Sequence, residues 1–113
     1  MAFGTRVQFN PLGTVAFGSL TGSYTALGPP MPGHARVVKF SNSTNQDVLI
    51  SADGVTDHLR VATNSFVLFD FSSNKIQEDG LFVQKGDQFY VKYAAAPASG
   101  NVWIEVITAA GGV

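Results

Sequence analysis

The chain has 113 residues, enough for one domain and too few for two with independent cores. Seven Lys and Arg against eight Asp and Glu leave a formal net charge of −1. No two basic residues are adjacent, so the sequence carries neither a nucleic-acid footprint nor a polybasic membrane patch.

The charged fraction, 13%, is half the usual share, while nine Phe, three Tyr and one Trp supply a large aromatic payload. Two readings follow. Either much of the exterior meets other protein, or the surface is a neutral one of Ser, Thr, Asn and Gly. Zero cysteines exclude disulfides, thiolate metal sites and a cysteine nucleophile. No apolar stretch approaches the length of a membrane span, and the start Met1–Arg6 lacks a signal layout. A soluble product, made in the cytoplasm, is expected.

Residues 1–34 hold six of the twelve glycines and four of the five prolines, with Arg6 as their one Lys or Arg. Short β-prone pieces survive there, Arg6–Phe9 and Gly22–Leu27. The spacing predicts an arm or edge strand over residues 1–18, with the sandwich proper over 19–113. Phe3, Val7, Phe9, Val15 and Phe17 are the anchors such an arm would dock, Val15 and Phe17 on one face. Gly28–Gly33 reads as an irregular extended link, because its prolines remove N–H donors.

From Arg36 to Phe71 apolar and β-branched blocks alternate with Asn, Asp, Ser and Gly, the pattern of antiparallel strands. It predicts a central meander of consecutive strands. Ser65–Phe71 is apolar on both faces, which calls for coverage beyond a bare sandwich and makes Phe66, Phe69 and Phe71 interaction candidates. A polar loop then leads to a short strand at Leu81–Val83 and a turn at Lys85–Asp87. In Gln88–Tyr93, Phe89, Val91 and Tyr93 share a face. In Asn101–Thr108, Val102, Ile104 and Val106 do so, and the tail from Ala109 is expected to fray. The whole predicts an all-β chain: one antiparallel, jelly-roll-like β-sandwich of about seven or eight short strands with an extended N-terminal arm.

The most site-like cluster is Asp53–His58, where two carboxylates and an imidazole fall within six residues. A divalent cation would want more oxygen ligands than follow nearby, so a hairpin connection is the expectation, with no metal and no cofactor. No catalytic residue is expected either, since no Gly-x-Ser-x-Gly elbow or phosphate-loop Lys surrounds any nucleophile. Trp103, Tyr90 and Tyr24 could stack on sugar rings, or fill a sheet face or a subunit contact.

Leu20–Gly28, reading LTGSYTALG, resembles the "ITGSYxALG" opening of small virion structural proteins of tailed bacteriophages. In that group a Pro-containing link, a strand like Arg36–Lys39 and an Asn-rich turn like Asn42–Val48 follow. The group then shows a turn like Ser51–His58, a strand like Ser65–Phe71 with Ser73-Asn74-Lys75, and one like Gly86–Lys92. The likeness spans residues 19–107. It implies a non-enzymatic phage virion component on the capsid surface. The type is a capsid decoration (cement) protein, which bridges subunits of the major capsid protein. A tail or neck component, or a host-glycan-binding module displayed on the virion, is the alternative. The low charge and the two-sided apolar strand add an expectation of self-association, as a trimer, with no nucleic-acid or membrane partner.

Overall fold

Alternation of buried and open positions along each strand sets which face turns inward. The computed structural model describes residues 7–31, 33, 35–70 and 86–109. Nine strands run among them: β1 (Val7–Phe9), β2 (Gly13–Ala16), β3 (Thr25–Leu27), β4 (Ala35–Asn42), β5 (Val48–Ser51), β6 (Leu59–Val61), β7 (Ser65–Asp70), β8 (Phe89–Tyr93) and β9 (Asn101–Ala109). They make two antiparallel sheets. The first has the order β1-β9-β4-β7 with β2 also on β9, and the second the order β3-β8-β5-β6.

This is the strand order of a jelly roll. Counting from β2 to β9, the first strand pairs with the last, the second with the next to last, and so inward to β5 with β6. The β4–β9 and β5–β8 pairings then close the two sheets. All-β class and sandwich architecture are thus as the sequence predicts. The expected meander is corrected: β4 and β5 lie in different sheets, and β4 pairs with β7 instead.

The reason is the polar cluster after β4. Asn42, 1% exposed, donates through Nδ2 to the carbonyls of Gln46 (2.8 Å) and Val61 (3.0 Å). Its Oδ1 accepts from the Thr44 amide at 2.9 Å and hydroxyl at 2.6 Å. Every side-chain hydrogen-bonding group of this buried amide is in use, and the knot carries the chain from one sheet to the other.

The N-terminal third is also woven in. β1 pairs with 107–109 and β2 with 101–104, so residues 7–16 are edge strands of the protein's own sheet. These two strands, with the seven between Thr25 and Ala109, make up the nine. Residues 1–6, the remainder of the expected arm, lie outside the described residues, as do the expected strand Leu81–Val83 and the tail beyond Ala109. The proline-rich link is anchored at Met31, which is buried. Its amide donates to the Asp87 carbonyl and its carbonyl accepts from the Gly86 amide, at 2.7 and 2.8 Å.

The core lies between the sheets: Val38 and Phe40 of β4, Val48 and Ile50 of β5, Val91 of β8, and Val102, Ile104 and Val106 of β9. Phe40 sits at its centre, edge-on to Phe69 (6.4 Å) and Phe89 (5.1 Å).

Candidate interaction surface

Inward facing of Val38, Phe40, Val102, Ile104 and Val106 forces their strand neighbours onto the outer face of the first sheet. The register arranges these in three rows across it. Phe66, Ser41, Trp103 and Thr14 form one. Leu68, Lys39 and Glu105 form the middle one. Asp70, Val37, Ile107 and Phe9 form the third.

This face is open. Phe9 is 76% exposed, Phe66 59%, Leu68 53% and Leu12, in the β1–β2 connection, 50%. On it lies a trough of about 440 Å³ lined by Phe9, Leu12, Val37, Leu68 and Ile107 and by the charged pair Lys39 and Glu105. Lys39 Nζ stands 3.8 Å from the Glu105 carboxylate and 4.6 Å from the centre of the Phe66 ring. An exposed ion pair of this length adds little stability, so both charges remain available to a partner.

The predicted interaction residues divide. Phe9 and Phe66 both lie on this face, at opposite corners of it. Phe69 is a correction: β7 alternates, and Phe69 turns inward against Phe40 while Phe66 and Leu68 turn out. Phe17 is partly exposed but leaves the strand in a 3-10 turn, its amide held by the Gly100 carbonyl at 3.0 Å. It therefore does not share a face with Val15, which packs on the core. Val7 lies in β1 opposite Ala109. Phe3 and Phe71 fall outside the described residues. Leu12, Leu68, Val37 and Ile107 were not singled out as interaction residues, because only the cross-strand register gathers them on one face with Phe9 and Phe66.

The second sheet bears a polar cluster around the β5–β6 connection. Asp53 Oδ1 accepts from the Val55 and Thr56 amides, both at 2.8 Å, and from the Ser51 hydroxyl at 2.8 Å. The Thr56 and Val55 amides, then Ser51, hold its carboxyl well below the usual carboxylate range. His58 Nδ1 accepts from the Ala52 amide at 3.0 Å. Both groups shape the loop, and Gly54 supplies its positive φ of 81°. Among the described residues, no three His, Asp or Glu side chains are grouped to hold a metal ion.

Beside the loop, the Tyr24 hydroxyl donates to Asp57 at 2.5 Å, and Lys92 Nζ lies 3.3 Å from the same carboxylate and 4.7 Å from the Tyr24 ring centre. Burial, then the Asp57 bond, raises the Tyr24 phenol; that bond first, then Lys92, lowers Asp57. With Lys92 over its ring, Tyr24 is not a free stacking platform. Trp103 is on the other sheet altogether, so the three aromatic candidates do not converge on one sugar site.

Comparison with protein-family models, with curated proteins and with solved structures finds no match in any of the three.

Proposed function

We propose that this chain is a non-enzymatic structural subunit of a tailed-phage particle, a capsid decoration protein that docks on the shell of the major capsid protein. The observation that carries a docking role is the apolar outer face of the first sheet, four strands across and uncovered among the described residues. The motif likeness over residues 19–107 supports the phage assignment, and the jelly roll, a fold widespread among capsid domains, is compatible with it.

Attachment works by burial of apolar surface, and repetition over many sites turns modest single contacts into strong reinforcement. Residues 7–16 are already paired with β9, so they meet the shell as part of the sheet and not as a detached arm.

Co-sedimentation with phage shells lacking the protein tests the reading. The native chain pellets with shells, and a Phe66→Asp, Leu68→Asp variant that keeps its circular dichroism stays in the supernatant. Absence of shell binding, or equal binding by the variant, overturns it. Density at the neck or tail in cryo-EM of the particle would favour the tail component, and a glycan-array signal the sugar-binding module.

A further inference from the structure

The occupant of the open sheet face can be named from the pattern of its charges. The middle row carries one positive and one negative group, Lys39 and Glu105, side by side on the two central strands. A two-fold axis lying in the interface plane, parallel to β4 and β9 and midway between them, exchanges those two strands. It sets Lys39 of each copy opposite Glu105 of the other. The same operation sets Val37 opposite Ile107 and Ser41 opposite Trp103 across the contact, from the rows already described. It also carries Leu68, at one rim of the trough, toward Leu12 at the other.

We infer that a second copy of this chain covers the face, the two outer sheets packing face to face as a symmetric pair. This rests on the reading of that face as a docking surface. The pair is the form of the free protein, and it opens when the same face docks on the shell.

The size fits. Four strands at about 4.8 Å spacing and eight residues of β4 at about 3.4 Å outline roughly 19 by 27 Å, or about 500 Å² of flat footprint. The corrugated side-chain surface over such a footprint approaches the ~800 Å² per partner of a stable interface. Chemistry fits as well. The flanking residues are mostly apolar, Ser41, Thr14 and Asp70 excepted, and the central pair of opposite charges is self-complementary only when the partner presents the same pair reversed. A threefold arrangement does not bring the two central strands into this exchange, so association is pairwise.

Charge exchange between copies is the test, read by sedimentation velocity. Native chain sediments as a dimer. Lys39→Glu and Glu105→Lys each place like charges opposite one another and weaken association at least about tenfold. An equimolar mixture of the two variants restores it, an outcome that an ion pair confined within one chain cannot produce. Circular dichroism checks that each variant is folded.

A second measurement does not depend on those variants. The chain has no cysteine, so Leu12→Cys and Leu68→Cys chains, mixed and treated with a short bifunctional thiol reagent that spans the ~10 Å between packed sheets, become cross-linked to one another. A native chain that stays monomeric at high concentration, no recovery on mixing, or no cross-link overturns the inference. Monomers that still bind shells through this face overturn the pair while leaving the docking role intact. Dimers that ignore shells do the reverse.

Discussion

Asn42 shows how one side chain can hold two sheets in place. Its amide satisfies the Val61 carbonyl of the second sheet from the end of β4 in the first. Asn42→Ala would strand that carbonyl and the Thr44 amide in a buried site. A loss of about 3 kcal/mol is expected in urea denaturation, with the fold otherwise retained. Asp53 acts at the surface and through pH. Its folded-state carboxyl lies below the usual range, so its contribution is present above about pH 4, the unfolded value, and is lost as acid takes pH down through the folded one. Asp57 works in the same direction. Asp53→Asn keeps an acceptor oxygen for the loop but cannot titrate. Its melting temperature should therefore fall less than that of the native chain between about pH 5 and pH 2. The pair Asp53-Gly54 announces a turn in the sequence, whereas the fourfold satisfaction of Asn42 is invisible there. Its partners lie up to nineteen residues away and are chosen by the crossing between sheets.

Among the elements, β1 and β2 matter most for what the chain can do. They line one edge of β9 in succession, while β4 lines the other. Val15 packs against the core, and Gly13 comes so close to Gly28 and Ile104 that an added Cβ would meet the Gly28 Cα at 2.9 Å. Deleting residues 1–18 should lower stability by at least about 2 kcal/mol and promote aggregation, because it uncovers Ile104 and bares the long edge of β9. Urea titration with light scattering checks this. A truncated chain as stable and soluble as the native one would return residues 7–16 to the role of a detachable arm. β7 teaches a different lesson. Its apolar run looks two-sided in the sequence, and it is, but the two sides meet different surroundings. Val67 and Phe69 pack on the core, whereas Phe66 and Leu68 are left to a partner.

At the scale of the whole molecule, local patterning determined the class of structure. Period-two alternation in 89–93 and 101–108, turn residues between short apolar blocks and the lack of helical spacing suffice for an all-β sandwich. Those signals are local, since each strand's inward face is written in its own residues. Pairing is not local. The preference of β4 for β7 and β9 over β5, and the choice of β9 as partner for both N-terminal strands, depend on contacts up to a hundred residues apart. Such contacts form only when the sandwich closes around Phe40. The candidate surface belongs to this second kind. Phe9, Leu12, Val37, Leu68 and Ile107 come from four segments of chain and carry no common motif. Only the register of antiparallel strands, fixed by burial of the opposite face, brings them side by side around Lys39 and Glu105.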